Sequence, residues 1–195
     1  MKNILALYTS ISGDNSLSTQ LAKEWLAKQD AKVIERDLAT NPVPHLTMET
    51  FSGFMTPEEG RSESQQAQAA LSDTLIKELK EADTLLISIP MYNFGIPSTL
   101  KSWIDYISRA GMTFQYSANG PEGLVKNTRA VVVLTRGGLY QGTEADVQAP
   151  FIKLVLGFIG ITDVEFIYAE GVAMGEEAKQ VAISSAKEKL TAVTA

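Results

Sequence analysis

Ile4 to Tyr8 is an unbroken apolar run that gives way to a polar stretch of small residues, Thr9 to Ser18. A run this short, bounded by turn-forming residues, predicts a central strand buried on both faces. Leu17, Leu21, Ala22, Trp25 and Leu26 then recur at helical spacing, while Lys23, Glu24 and Lys28 fall on the opposite side. That pattern predicts a helix with one wet face. Val33 to Leu38 is more polar and predicts a strand at a sheet edge. Asn41 to Gly60 carries Pro42, Pro44 and Pro57 with no clear period, so it predicts a long loop with at most a short helix, and a candidate wall of a site.

From about Ser64 to Glu81, Ala67, Ala70, Leu71, Leu75 and Leu79 step by three and four, which predicts a second helix. Thr84 to Ile89 predicts an apolar strand ended by Pro90, and Ser98 to Arg109 a third helix with Leu100, Trp103, Ile104 and Ile107 on one side. Ala130 to Thr135 predicts a fourth strand, Phe151 to Ile159 a helix, Val164 to Ala169 a fifth strand, and Glu176 to Val193 a closing alanine-rich helix. Five strands alternating with five helices, several strands apolar throughout, imply a parallel sheet with helices on both faces. Right-handed crossovers then favour a doubly wound α/β domain with the flavodoxin-like strand order 2-1-3-4-5, in which ligands sit beyond the carboxyl ends of the strands.

At 195 residues the chain suits one domain, and 45% hydrophobic with 21% charged residues suits a packed globular one. A net charge of -6 with only 17 Lys and Arg argues against a nucleic-acid partner. The sequence has no cysteine and one histidine, His45, so disulfides, thiolate metal sites, a cysteine nucleophile and any two-histidine site are excluded. Redox chemistry would therefore need a cofactor. The first apolar run is too short for a signal peptide or a membrane span, which predicts a cytoplasmic protein with no membrane partner.

Three loops at the predicted strand ends carry the candidate chemistry. After the first strand, Ser10-Ile11-Ser12-Gly13-Asp14-Asn15-Ser16-Leu17-Ser18 surrounds the start of a helix with hydroxyls. Backbone amides and the hydroxyls of Ser10, Ser16 and Ser18 suit a dianionic phosphate near the positive end of the helix dipole. Neither the Gly-Lys-Ser/Thr pattern of a triphosphate site nor Gly-x-Gly-x-x-Gly is present. The alternative is that Ser16 or Ser18 only caps the helix. After the third strand, Pro90-Met91-Tyr92-Asn93-Phe94-Gly95-Ile96-Pro97 pins apolar and aromatic residues between two prolines. These suit a flat, apolar, hydrogen-bonding ring such as isoalloxazine, with Asn93 near its central nitrogen; the alternative is a plug over the core. After the fourth strand, Thr135-Arg136-Gly137-Gly138-Leu139-Tyr140 lets amides approach the pyrimidine end of such a ring, or forms a plain glycine turn.

With those loops in view, the sequence resembles the FMN-dependent NADH-azoreductase family, whose members are also described as quinone reductases. The resemblance runs through nearly the whole chain. It is strongest at Pro90–Phe94, at Asn119-Gly120-Pro121-Glu122-Gly123-Leu124, at Arg136-Gly137-Gly138 and at Gly157-Phe158-Ile159-Gly160-Ile161-Thr162-Asp163-Val164. It implies a flavodoxin-like homodimer with FMN at the interface, one per subunit, reduced by NADH or NADPH and reoxidised by a quinone or azo compound in a ping-pong cycle. It places Ser10, Ser16, Leu17 and Ser18 at the phosphate, and Met91, Tyr92, Asn93, Phe94, Thr135, Arg136, Gly137 and Gly138 around the ring. Tyr116 and Phe158 match aromatic positions that reach over the partner's flavin, with Tyr140 beside them in the acceptor pocket. Asn93 and Tyr116 would be orienting groups rather than nucleophiles. Leu17 stands where glutamine is frequent, Thr135 where serine is, and Tyr140 where a histidine can occur.

The competing reading is a flavodoxin-type electron carrier, which shares the fold and FMN but encloses no small substrate. Arg136 either attracts a charged nucleotide or pairs with a carboxylate, and His45 reads as a solvent-facing or hydrogen-bonded imidazole.

Overall fold

The computed structural model describes residues 1–194. Strands β1 (Lys2–Tyr8), β2 (Ala31–Asp37), β3 (Thr84–Pro90), β6 (Arg129–Thr135) and β7 (Val164–Ala169) form one five-stranded sheet in the order β2-β1-β3-β6-β7, with every neighbouring pair parallel. The chain steps outward from β1 to β2 and returns on the other side of β1 at β3. This is the flavodoxin-like arrangement, with its switch point between β1 and β3.

Alternate residues of the central strands enter two separate cores, as strand geometry requires. Leu5, Leu7, Leu85, Ile87, Ile89, Val132 and Leu134 pack with Leu75 and Leu79 of α3 (Glu63–Glu81), Trp103 and Ile107 of α4 (Ser98–Ile107), and Ile152 and Leu156 of α5 (Gln148–Ile159). Ile4, Ala6, Tyr8, Leu86, Val131 and Val133 pack with Leu21, Ala22 and Trp25 of α1 (Leu17–Leu26) and with Ala182, Ala186 and Leu190 of α6 (Glu176–Ala192). Each of these large side chains contributes about 1.5–3 kcal/mol when withdrawn from water, so the sheet is held mainly from its faces.

Register sets the site. Tyr8 pairs with Asp37 and Ser88 lies beside it, while Pro90 pairs with Thr135 and Thr135 with Ala169. The loops that follow β1, β3 and β6 therefore leave the same edge of the sheet.

One element falls where the sequence allowed it and one departs from the expectation. The long-loop stretch carries the short helix it allowed, α2 (Met48–Met55), begun by Thr47, whose hydroxyl accepts from the Thr50 amide. Its carboxyl end is tied down by Arg61, which donates to the Gly53 and Thr56 carbonyls. Gly53 is needed within it, since a Cβ there would run into the Gln65 side chain. The second element is a hairpin of β4 (Phe114–Ser117) and β5 (Gly120–Gly123), with Gly120 at φ 106° just past the turn. The Asn119-Gly120 pair was its signal.

The hairpin is seated on the end of α5 by a backbone-to-backbone contact. A Cβ on Gly123 would fall on the Gly160 backbone, and the Val125 amide donates to the Ile159 carbonyl at 2.9 Å. Gly160 itself ends α5 at φ 108°, with the Ile161 amide returning to the Leu156 carbonyl. Gly123→Ala should therefore cost about 1–3 kcal/mol as an overpacked joint. Thermal unfolding should show Tm lowered by roughly 2–10 °C; an unchanged Tm would mean the seat is not tight.

Candidate functional site

The loop after β1 is tied to the loop after β3 through one phenol. Tyr92 Oη lies 2.8 Å from Ser10 Oγ and accepts from the Ile11 amide, and Ser10 Oγ accepts from the Ser12 amide. Thr9 fixes the root of the loop by donating to the Ser88 carbonyl. Asp14, the loop's only acid, turns out toward Lys23 at 2.6 Å, which removes an uncompensated negative charge from this end of the helix.

Ser16 occupies the N-cap position of α1 and its carbonyl accepts from the Gln20 amide, but its hydroxyl accepts no bond from the helix. Its hydroxyl instead meets that of Ser18 at 3.0 Å, with both residues buried, and the buried hydroxyl of Thr19 has no partner. Capping thus does not account for these serines. Free amides at a helix start, with two hydroxyls beside them and the one carboxylate turned away, are the chemistry an anion requires. Leu17 packs its side chain into the core with Ile4 and Leu21, so it can offer this end only its backbone amide.

After β3 the chain makes a tight turn in which Tyr92 and Gly95 exchange both backbone hydrogen bonds. Between them Asn93 and Phe94 have φ of 49° and 67°, the only positive values at non-glycine positions among the described residues. Asparagine tolerates this region, whereas phenylalanine costs about 1–2 kcal/mol there. The side-chain amide of Gln148 adds donors to the Pro90 and Gly95 carbonyls at 3.2 and 3.0 Å. With about 0.5–1.5 kcal/mol from each such bond, the turn's hydrogen bonds outweigh its strain. The result presents the Asn93 and Phe94 side chains outward; the Phe94 ring is 56% exposed and meets Tyr140 edge-on at 5.9 Å.

The loop after β6 is oriented by its carbonyls. Those of Arg136, Gly137 and Gly138 accept from the amides of Val172, Ala173 and Gly171 in the β7–α6 connection. A trans peptide points its N–H opposite to its C=O, so the amides of Gly137, Gly138 and Leu139 face away from that connection. A Cβ on Gly138 would meet the outer end of the Tyr140 ring at about 3.0 Å, so a larger residue there would have to displace that ring. Thr135 is buried at the root, its carbonyl accepting from the Met91 amide at 2.9 Å.

Arg136 corrects an expectation. The resemblance puts it among the ring contacts, but it is 1% exposed and each of its three guanidinium nitrogens has a protein partner, the carboxylate-pairing alternative. It donates to Asp146 at 2.6 Å, Glu170 at 3.0 Å and Gln148 at 3.1 Å, and lies over the Tyr168 ring. Its amide donates to Ala169, so neither side chain nor N–H is left for a ligand. Two carboxylates against one cation would be costly if unrelieved, and the amides of Tyr140, Gln141 and Ala149 supply the remaining donors. Burial raises the Tyr168 phenol above its ordinary range, with Asp146 adding to the effect. Burial also raises Tyr8, at the end of β1, which donates to Glu35 at 2.6 Å.

Tyr116 and Phe158 lie elsewhere in the chain. They gather on Phe114, at 5.6 and 4.4 Å between ring centroids, and Tyr116 is 76% exposed on the hairpin. Tyr116 lines a cavity of about 310 Å³ with Leu46, Phe51, Met55 and Arg109 rather than with the Met91–Phe94 turn. His45 is exposed and bonds through Nδ1 to Ser102. Sequence reasoning missed Asp146, Gln148 and Glu170, which share no local pattern with Arg136. Among the described residues no cluster of His, Asp and Glu could hold a metal ion, and no helix is long and apolar enough to cross a membrane.

A family model described as a flavodoxin-like fold matches residues 2–193. The FMN-dependent NADH:quinone oxidoreductase of Alcanivorax borkumensis is 48% identical, covering 98% of this chain and all of that protein. The protein of the same name from Vibrio parahaemolyticus is 49% identical, over 97% of this chain and 98% of its own. Among solved structures, an azoreductase from Bacillus anthracis superposes with a TM-score of 0.88 at 25% identity, covering 98% of each chain. An FMN-dependent NADH-azoreductase from the same species, solved with FMN, gives 0.88 over the full length of both chains at 24% identity, a likeness of fold. The match across the whole length means that this chain belongs to the flavodoxin-like family of FMN-dependent NADH:quinone oxidoreductases and azoreductases.

Proposed function

We propose that this chain is an FMN-dependent oxidoreductase that uses a reduced nicotinamide nucleotide to reduce quinones and azo compounds. The observation that carries the reading is convergence: an uncapped helix start, a strained aromatic turn and a row of outward amides meet at one edge of the sheet. The relatives' names give the same chemistry from an independent direction. The fold it assumes is a single domain with helices over both sheet faces, which the two separate cores support.

Bound FMN would supply the redox step, taking hydride at N5 from NADH or NADPH and passing two electrons to the acceptor in a ping-pong cycle. The hydroxyls of Ser10, Ser16 and Ser18 and the Leu17 amide would hold its phosphate. Met91, Tyr92, Asn93 and Phe94 would flank the ring, and the amides of Gly137 and Gly138 would donate at its pyrimidine end, where negative charge develops on reduction. Thr135 anchors that loop and Arg136 supports it from behind. Asn93, exposed at the tip of the turn, would be the orienting side chain.

The protein is also proposed to act as a homodimer with its sites at the interface. Exposed Tyr116 and Leu154 and half-buried Phe158 support that reading, since large apolar side chains left in water favour being covered. Covered by a second copy, Tyr116 and Phe158 would lie over the partner's ring, with Tyr140 beside the acceptor.

The phosphate assignment is tested by comparing FMN with riboflavin. In Ser16→Ala and Ser18→Ala variants, losing a hydrogen bond to a charged group costs about 1.5–3 kcal/mol, or roughly 10–150-fold in Kd. FMN affinity should fall by that factor while riboflavin affinity stays level; equal losses for both would remove the assignment. Asn93→Gly keeps the positive φ and deletes only the side chain, so NADH turnover should slow with FMN still bound. Unchanged turnover would strip Asn93 of its orienting role.

A further inference from the structure

Gln148, the first residue of α5, is 1% exposed, a long polar side chain sealed between the loops after β3 and β6. Its Oε1 accepts from Arg136 Nε, and its Nε2 donates to the Pro90 and Gly95 carbonyls. Only one orientation of the amide satisfies these contacts, because a guanidinium N–H can only donate and a carbonyl can only accept. Arg136 therefore dictates which way Gln148 faces, and Asp146 and Glu170 dictate where Arg136 sits. Glu170 carries the chain further by accepting from the Tyr140 and Gln141 amides. The carbonyls that Gln148 holds bracket the turn containing Asn93 and Phe94: one ends β3 and the other closes the turn.

We infer that Gln148 is a positioning residue, the link through which buried Arg136 fixes the strained Tyr92–Gly95 turn against the Thr135–Gly138 loop, so that both sides of the ring site are set together. This rests on the flavin reading of those loops. The physical need is clear, since a turn holding two non-glycine residues at positive φ relaxes when its anchors are lost. Two loops that relaxed separately would bind the ring in many geometries.

Two variants separate this role from general packing. Gln148→Glu keeps the acceptor for Arg136 but turns a carboxylate oxygen toward two carbonyls; Gln148→Met keeps the length and removes all three bonds. Amide hydrogen exchange in the cofactor-free protein, and FMN affinity from quenching of flavin fluorescence, are then measured. Exchange across residues 91–96 should rise at least tenfold in both variants, with strands β1 and β6 unaffected, and FMN Kd should rise at least tenfold. The flavin absorption band should also lose the position it has in the wild type. Exchange that rises equally through the sheet, or faster exchange in the turn with FMN affinity unchanged, would make Gln148 a packing residue and overturn the inference. If the wild type itself retains no FMN, the flavin reading fails, while the exchange measurement still decides whether Gln148 holds the turn.

Discussion

The turn at Tyr92–Gly95 keeps Asn93 and Phe94 in a backbone region that their side chains disfavour, and the site is organised around what holds it there. From below, Tyr92 is fixed by Ser10 and Ile11, which joins the turn to the hydroxyl-rich loop that leads into α1. From the side, Gln148 and the Met91–Thr135 bond join it to the loop after β6. The three loops are thus one hydrogen-bonded unit carried on the register of a parallel sheet. Each loop alone would be an ordinary connection; the constraint lies in their mutual ties.

That unit also explains the division of labour among charged groups. In the loop after β1 the carboxylate of Asp14 is engaged by Lys23, which leaves the helix amides and the hydroxyls of Ser16 and Ser18 as the polar groups at the start of α1. The one arginine in the loop after β6 is spent on structure, buried between Asp146 and Glu170. The backbone amides of that loop are fixed in direction by the carbonyls on the opposite side of each peptide, which are bonded to the β7–α6 connection.

Much of this was legible in the sequence because it is local. The apolar runs at Ile4–Tyr8, Thr84–Ile89 and Ala130–Thr135 have the period and length of buried strands, and the hydroxyl-rich, aromatic and glycine loops follow them directly. What stayed hidden depends on contacts distant along the chain. Arg136 finds Asp146 and Glu170 ten and 34 residues away, and only the fold brings them together. Gly123 and Gly160 looked like members of separate motifs, and their backbone contact shows why both must be small. The positive φ of Phe94 could not be foreseen either, since phenylalanine is among the residues least suited to it. The short helix allowed between Asn41 and Gly60 had no readable bounds, because the Thr47 cap and the Arg61 anchor rather than an apolar stripe define its ends.

The central claim is that these loops bind FMN and let it cycle between a nicotinamide donor and a quinone. It is tested most directly by the visible spectrum of the purified protein after incubation with FMN and gel filtration, followed anaerobically through addition of NADH and then benzoquinone. Flavin that co-elutes, bleaches with NADH and recovers its absorbance with the quinone is the predicted result. Folded protein that elutes without flavin, or bound flavin that NADH leaves oxidised, would contradict the account.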